Sequence, residues 1–390
     1  MDEKTIRSRI QSACSNNHFT RGLFMAAVSA IIMLLATTPG FAGSSATASG
    51  QQDDIRMLFS ANQAAHDLSV YRLNLHNGEL HEVAGSPYKT GRYPVSVDST
   101  PDGRFVYVCN QGSDSISVFT VKASDGTLSP IPGSPFAAGK YPDSVHLSPD
   151  NHFVYITHED DNNVAVFKRD ANTGAIRDTG LKAPTDEHPI DVTLSPDGRF
   201  AYVSNFYAAS VSSYRVNHET GALTPTGKPV ATDDRPIYIK VSPSGHFVFV
   251  ANYGSTTVSV FHVDHDSGQL TPVPGSPFLA GAQPYSVTVD PTEHFVYAAN
   301  WGSHDVSAFT LDSTSGKLSE IKGSPYRADW FPYAVVVDDK TQYAYVANNG
   351  AGNIGVYHID SHSGALKQLA DSPFVSDLGP YGLSLSHAGH

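Results

Sequence analysis

The chain has 390 residues, a formal net charge of −13 at pH 7 and two cysteines. An acidic surface repels phosphate backbones, so no nucleic-acid partner is expected. Cys14 and Cys109 are too few for a disulfide framework, so the fold has to be stabilised by its own core.

The N-terminus is predicted to be a targeting segment. Basic residues come first and are followed by an apolar run at 23–36, LFMAAVSAIIMLLA. This run is shorter than the roughly 20 residues that span a bilayer, and it is typical of a secretory signal peptide. We assign 1–42 to a signal peptide and 43–56 to a flexible leader. The mature form is then exported, periplasmic or secreted, without a membrane span; an uncleaved anchor is the alternative.

The rest of the chain, 57–390, consists of seven copies of one repeat. A glycine and a proline recur at intervals of 47 or 48 residues, a period in the range of propeller blades. The recurrent glycines are Gly78, Gly126, Gly174, Gly221, Gly268, Gly316 and Gly364. The recurrent prolines are Pro94, Pro142, Pro189, Pro236, Pro284, Pro332 and Pro380.

Each repeat contains four strand signals. In the fifth they lie at 236–241, 247–251, 257–263 and 270–273, and the third alternates apolar and polar residues. Seven such units predict an all-β, seven-bladed β-propeller with four antiparallel strands per blade. The first unit lacks its first strand and the chain ends with an extra one at 381–386, so the C-terminal strand is predicted to close the first blade. A closed ring has no free sheet edge, which favours a monomer.

Candidate site residues are those that break the repeat on the face where the loops before strand one and after strand two converge. One sector of this face is ionisable and the opposite sector is aromatic. The ionisable residues are Asp143, His158, Glu159, Glu187, His188, Asp191 and Arg235. The aromatic residues are Tyr253, Tyr285, Trp301, Trp330, Tyr333 and Tyr381. This combination suits a small polar ligand that contains a ring.

Other interpretations of the same residues remain open. Acids and histidines at loop tips are often only solvated surface, and the tyrosines could simply plug the channel. A divalent-cation site formed by Asp143, Glu159, Asp160 and the histidines is a further alternative, although the spacing matches no specific metal motif. We therefore predict no metal and no cofactor.

Two segments carry a family resemblance. SPDGRFAYVSN at 195–205 and FVFVANYGSTTVSVF at 247–261 resemble the seven-bladed propeller lactonase family, which includes a 6-phosphogluconolactonase and the carboxymuconate cyclase. The resemblance covers about 57–390 and implies hydrolysis of a small lactone or sugar-like ligand. Enzymatic members have Gly-Pro-Arg-His at the start of strand one and Asn-Glu at the end of strand two. Glu159 matches that glutamate, whereas Asp143 and Ser144 stand in place of Arg and His.

A second resemblance points to another class of function. Tyr-Val-Ala-Asn at 345–348 is similar to the Tyr-Val-Thr-Asn repeats of exported and surface-layer propellers, which implies a non-catalytic module that binds a glycan, peptide or protein. The competing hypothesis is a lactonase-type carboxylic ester hydrolase. In that enzyme Glu159 or His158 would be the base, and Arg235 or His188 would stabilise the oxyanion. Asp143, Asp191 and the aromatic residues would bind the ligand.

Overall fold

A computed structural model describes residues 56–340 and 342–386 of the chain. The predicted signal peptide at 1–42 lies outside the described residues, and so does the predicted leader at 43–56 except for its last residue, Arg56. Within the described ranges, no helix is long and apolar enough to cross a membrane. The first strand begins at Arg56, one residue earlier than predicted.

The described residues form seven antiparallel sheets, which confirms the predicted seven-bladed propeller. Each sheet has four strands in the order of the repeat, from the centre outwards, and six of the sheets have a short fifth strand. Blade 1 is completed by the C-terminal strand, as predicted. The only helical turn among the described residues is a short 3-10 turn at Gln111–Ser113.

The strands occupy equivalent positions in all blades, in order from blade 1 to blade 7. The innermost strands are β34 (Pro380–Leu385), β5 (Pro94–Ser99), β10 (Pro142–Leu147), β14 (Pro189–Leu194), β19 (Pro236–Val241), β24 (Pro284–Val289) and β29 (Pro332–Val337). The second strands are β1 (Arg56–Asn62), β6 (Phe105–Asn110), β11 (Phe153–His158), β15 (Phe200–Asn205), β20 (Phe247–Asn252), β25 (Phe295–Asn300) and β30 (Tyr343–Asn348). The third strands are β2 (Asp67–Leu73), β7 (Ser115–Val121), β12 (Asn163–Arg169), β16 (Ser210–Val216), β21 (Thr257–Val263), β26 (Asp305–Leu311) and β31 (Asn353–Ile359).

The outer strands are shorter. The fourth strands are β3 (Leu80–Glu82), β8 (Leu128–Pro130), β13 (Ile176–Pro184), β17 (Leu223–Pro225), β22 (Leu270–Pro272), β27 (Leu318–Glu320) and β32 (Leu366–Gln368). Six blades add a two-residue strand that pairs with the third strand: β4 (Tyr88–Lys89), β9 (Phe136–Ala137), β18 (Val230–Ala231), β23 (Phe278–Leu279), β28 (Tyr326–Arg327) and β33 (Phe374–Val375). In blade 3 the nine-residue β13 occupies the positions of both the fourth strand and the two-residue strand, and its pairing with β12 is interrupted by a bulge.

The seven innermost strands form a closed ring, since each contacts the innermost strand of both neighbouring blades. Closure depends on β34, which pairs antiparallel with β1 in the register Leu58↔Leu385. The backbone N–H of Ser386 donates to the carbonyl of Met57 at 2.8 Å, and the N–H of Met57 donates to Oγ of Ser386 at 2.9 Å. Both ends of the propeller are therefore fixed in one sheet.

The recurrent glycines pack the blades against each other. All seven adopt φ between 71° and 79°, a left-handed conformation that favours glycine. A Cβ on Gly174, Gly221 or Gly268 would collide with the ring of the phenylalanine that begins the second strand of the preceding blade. In blade 3, Tyr107 of blade 2 also donates its hydroxyl to the carbonyl of Gly174 at 2.6 Å. The glycine is thus required both by its backbone conformation and by the close approach of the preceding blade.

We predict that Gly268→Ala destabilises the propeller by about 2–4 kcal/mol, because the left-handed backbone and the collision with Phe200 both oppose a methyl group. Gly180→Ala is the matched control, since Gly180 has φ of 75° but nothing within 4 Å of its Cβ position. It should cost only about 1 kcal/mol. Urea unfolding of both variants measures the difference, and equal losses would show that the inter-blade contact contributes nothing.

Candidate active site

Three rings of side chains surround one end of the channel, which we call the mouth. The inner ring is the residue after each recurrent proline: Tyr381, Val95, Asp143, Ile190, Ile237, Tyr285 and Tyr333. The middle ring is the residue after each second strand: Gln63, Gln111, Glu159, Phe206, Tyr253, Trp301 and Asn349. The outer ring is the residue before each proline: Gly379, Tyr93, Tyr141, His188, Arg235, Gln283 and Phe331.

The outer ring has the same backbone conformation in every blade. All seven residues have φ between 51° and 73°, although only one of them is glycine. Hydrogen bonds hold this backbone in place: the N–H of His188 donates to Oδ1 of Asn162 at 2.8 Å, and its carbonyl accepts from Phe206 at 2.8 Å. The carbonyl of Arg235 accepts from the N–H of Tyr253 at 2.9 Å in the same way. Non-glycine residues in this conformation are strained and recur at functional sites.

A pair of carboxyl groups, both carried by blade 3, forms the ionisable part of the mouth. Asp143 of the inner ring is hydrogen-bonded to Glu159 of the middle ring. Gln111 contacts both groups, with Nε2 at 2.9 Å from Oδ1 of Asp143 and 3.5 Å from Oε1 of Glu159. Burial, followed by the charges of Glu159 and Asp191, raises the pKa of Asp143 well above its usual range. Asp143 therefore keeps its proton at pH values where an exposed aspartate has lost it.

An imidazole and a guanidinium border this pair. His188 lies with Nε2 at 3.3 Å from Oε2 of Glu159. Arg235 lies further along the rim, with Cζ at 6.0 Å from the centroid of the Phe206 ring and Nε at 3.8 Å from Asp234. The His188 ring is 5.8 Å from the same phenylalanine ring. The mouth thus places a carboxyl pair, an imidazole and a guanidinium along consecutive blades.

The predicted aromatic residues form one connected cluster that adjoins the carboxyl pair. Tyr333 packs against Tyr285 and Tyr381, with ring centroids at 4.2 and 4.5 Å. The hydroxyls of Tyr285 and Tyr381 are hydrogen-bonded to each other. Tyr253 continues the cluster, with centroids 5.7 Å from Tyr285 and 6.0 Å from Trp301. The three tyrosines of the inner ring therefore pack against one another at the centre of this cluster.

Two of the predicted site residues do not reach the mouth. His158 is 2% exposed, and its Nε2 lies 2.7 Å from the carbonyl of Ala138 inside the blade. Successive strand residues point to opposite sides, so His158 is directed away from Glu159. Asp191 is 3% exposed and lies in the next layer of the channel, where Oδ1 is 3.1 Å from Nε2 of His146. It acts on the mouth only through its charge on Asp143.

The channel below the mouth contains a second ionisable group that the sequence pattern did not reveal. His146 of β10 lies between Asp191 and Asp98, with Nδ1 at 3.9 Å from Oδ2 of Asp98. Burial lowers the pKa of His146, but the two carboxylates outweigh burial and the net direction is upwards. Oδ2 of Asp191 also accepts from the N–H of Ile239 at 3.2 Å, which ties blade 4 to blade 5.

Other residues of the mouth were also missed. Gln111 and Phe206 belong to the middle ring, from which the prediction selected Glu159, Tyr253 and Trp301 but passed over this amide and this apolar ring. Tyr207 packs on His188, with ring centroids at 4.4 Å. Comparing every residue at the Glu159 position of the repeat would have found the first two. Tyr207 does not occupy a position that the repeat singles out, so the same comparison would not have found it.

The mouth also contains a group that could bind a divalent cation. Glu159, Asp160 and His188 each offer a ligand atom, and these atoms lie within 4.8 Å of one another. Carboxylate oxygens and an imidazole nitrogen are suitable ligands for several divalent metals. Asp143, which the sequence pattern had suggested for this group, is not among the three.

The sequence matches a family model described as "Lactonase, 7-bladed beta-propeller" over residues 85–190, 182–282 and 277–377. These three matches together span most of the propeller. The chain belongs to the seven-bladed β-propeller lactonase family. A comparison with curated proteins found no match for this family member.

Solved structures confirm the fold of this lactonase-family propeller. A Bacteroides fragilis protein proposed to be a 6-phosphogluconolactonase has a TM-score of 0.75 at 17% identity, over 87% of this chain and 99% of the other. The periplasmic gluconolactonase PpgL of Pseudomonas aeruginosa has a TM-score of 0.68 at 19% identity, over 86% and 99%. The hydrazine synthase of Kuenenia stuttgartiensis has a TM-score of 0.57 at 18% identity, over 74% and 88%. At such identities the likeness establishes the fold alone.

We predict that Asp143→Asn stabilises the lactonase-family propeller at pH 7 by about 1 kcal/mol, because it removes a buried acid. The folded-state pKa of Asp143 is raised, so its contribution to stability is largest below the usual aspartate pKa of 3.8 and is lost as the pH rises through the folded-state pKa. The gain from the asparagine should therefore shrink towards pH 4.

Thermal unfolding between pH 4 and pH 8 measures this difference. The control is Asp266→Asn, which removes the same charge from an exposed position in blade 5. A gain that is as large at pH 4 as at pH 7, or that the control reproduces, would contradict the assigned protonation of Asp143.

Proposed function

We propose that this chain is an exported hydrolase that opens the ring of a small lactone at the channel mouth. The observation that carries the proposal is the Asp143–Glu159 carboxyl pair, which lies beside His188 in one sector of the mouth. Family membership supports the reaction class, and the position of Glu159 matches the glutamate of enzymatic members. The pair supplies one group that retains a proton and one that can accept a proton.

In the proposed reaction, Glu159 accepts a proton from water as the water oxygen bonds to the lactone carbonyl carbon. The carbonyl oxygen becomes an oxyanion, and Arg235 is the cation placed to stabilise it. The ring C–O bond then breaks, and the proton returns from Glu159 to the departing alkoxide. The product is the open-chain hydroxy acid, so water is the only co-reactant.

The other residues of the sector hold the base in position. Asp143 retains its proton and donates it in the hydrogen bond to Glu159, while Gln111 donates to Asp143 at 2.9 Å. His188 contacts the other carboxylate oxygen of Glu159 at 3.3 Å. His158 has no part in this scheme, because its ring is buried inside the blade.

An uncharged lactone suits this mouth better than a phosphorylated one. Among the three rings, Arg235 is the only residue with a permanent positive charge. Asp143 and Ser144 replace the Arg-His pair of enzymatic members, and the chain as a whole carries a charge of −13. A phosphate group would gain little at such a site and would be repelled by the acidic surface.

The replacement of the Arg-His pair by Asp143 and Ser144 also favours a second candidate function. In it, the propeller binds a glycan, peptide or protein at the mouth without catalysis. Binding requires the shape and polarity of the mouth, whereas hydrolysis also requires Glu159 to accept a proton. A substitution at Glu159 therefore separates the two functions.

We predict that the protein releases acid from glucono-1,5-lactone in a saturable manner and that Glu159→Gln lowers kcat by about 100-fold or more, because the amide cannot act as a base. Arg235→Ala should lower kcat by a similar factor through loss of oxyanion stabilisation. The measurement is acid release in a pH-stat at constant pH.

Exposed residues of the same types provide the controls, Glu320→Gln on β27 and Arg72→Ala on β2. They should retain the wild-type rate. Acid release at the buffer rate for a panel of lactones, together with a ligand-induced thermal shift, would favour the binding module instead. EDTA treatment in the same assay tests whether Glu159, Asp160 and His188 hold a metal that the reaction needs.

Export is part of the proposal and rests on the apolar run at 23–36. The Pseudomonas neighbour is itself named as periplasmic, which supports the same compartment for this chain. We predict that the chain, expressed in a bacterial host with its own N-terminus, is recovered from the periplasm or the medium and lacks about 40 residues. N-terminal sequencing identifies the cleavage point, and a full-length product retained in the membrane fraction would identify an anchor.

A further inference from the structure

The aromatic half of the mouth extends outwards into a group that the proposed reaction does not use. We call it the aromatic shelf, and it consists of Trp301, His304, Trp330 and Phe331. Trp330 is 59% exposed, which is unusual for so large an apolar side chain. The chain contains two tryptophans, and both belong to the shelf.

The fold does not require a tryptophan at position 330. The residue two positions before the recurrent proline differs in every blade: Leu378, Arg92, Lys140, Glu187, Asp234, Ala282 and Trp330. Six blades form the same loop without an aromatic side chain there. An exposed indole at one of seven equivalent positions is therefore more consistent with binding than with packing.

The rings of the shelf are fixed before any ligand arrives. Trp301 and Phe331 are stacked with centroids 4.7 Å apart and an interplanar angle of 20°. His304 lies nearly parallel to Trp330, at 6.4 Å and 16°, and its Nδ1 accepts a hydrogen bond from the N–H of Phe331 at 3.1 Å. The Trp330 ring is inclined to the Phe331 ring by 73°, so the indole itself is the flat, pre-oriented face, and it loses little entropy when a ring stacks on it.

The shelf is continuous with the carboxyl pair. Trp301 contacts Tyr253, Tyr253 contacts Tyr285, and Tyr285 is hydrogen-bonded to Tyr381. Tyr381 is close enough to the carboxyl pair for Asp143 to raise its pKa, in addition to the larger effect of burial. One line of rings therefore leads from the proposed reaction centre to the exposed face of the shelf.

We propose that the aromatic shelf is a subsite for a pyranose ring, so that the lactone substrate carries a further neutral sugar unit. This rests on the proposed function for the reacting end of the substrate. A pyranose ring presents C–H bonds on one face, which pack against an electron-rich aromatic face, while its hydroxyls remain in water. A half-exposed platform suits such a ligand, whereas a purely apolar ligand needs an enclosed pocket. The substrate class is a lactone derived from an oligosaccharide.

Tryptophan fluorescence provides a direct test, because both tryptophans report only on the shelf. Cellobiose should change the emission of the full-length protein in a saturable manner and bind about tenfold more tightly than glucose. Trp330→Ala should abolish that preference, whereas Trp330→Phe, which keeps a flat ring, should retain part of it. Leu279→Ala, which removes another highly exposed apolar side chain on β23, should change nothing.

Kinetics separate this inference from the proposed function. If the protein is a lactonase with this subsite, kcat/KM for cellobionolactone should exceed that for glucono-1,5-lactone, and Trp330→Ala should lower only the former. Equal values for both lactones that Trp330→Ala leaves unchanged would overturn the subsite but not the lactonase. Binding of cellobiose that depends on Trp330, without hydrolysis of any lactone, would support the subsite and contradict the lactonase. No response to either sugar would overturn the subsite.

Discussion

The contact between each recurrent glycine and the preceding blade is the constraint on which the propeller depends. A side chain at this position would separate the blades, because the ring that begins the neighbouring second strand occupies the space of a Cβ atom. The contact recurs seven times, with Met57 and Tyr343 in place of phenylalanine at two of the junctions. Since the seven blades have to close a ring, a small displacement at one junction would require the other junctions to shift as well. The constancy of the glycines reflects this geometric requirement.

The regular scaffold explains why the candidate site lies where the repeat is broken. The Asn that ends the second strand donates to side chains of the third strand; Asn205, for example, donates to Ser210 and Ser212 at 3.0 and 2.9 Å. The side-chain N–H groups of such residues are therefore bonded within their own blade. Asp143 and Glu159 instead form a pair between an innermost strand and a loop. Burial makes the largest contribution to the raised pKa of Asp143, and the charge of Glu159 raises it further. The chain thus carries a destabilising group at the mouth, which is common at functional sites and rare in a region selected only for stability.

Much of this architecture could be predicted from the sequence, because the period of the repeat fixes the number of blades and the strands of each. Closure of blade 1 also followed, since an unpaired first and last strand have only each other as partners. The site was harder to predict, because it depends on which way neighbouring side chains point. His158 and Glu159 depart from the repeat side by side, yet only Glu159 enters the mouth. His146 was missed because its partners, Asp98 and Asp191, come from two other blades and no sequence pattern joins them.

The strained backbone of the outer ring has a consequence for how such a protein can change. Six residue types, from Gly379 to Phe331, occupy these seven positions in one nearly identical local conformation. A residue that is compatible with this backbone conformation in one blade is therefore compatible with it in any other blade, and only the neighbouring side chains in the mouth differ. New specificities can arise by exchange of single residues around the rim, without insertions and without remodelling of any strand. The mouth is thus a set of interchangeable positions, in which recognition can diversify while the closed ring beneath it stays the same.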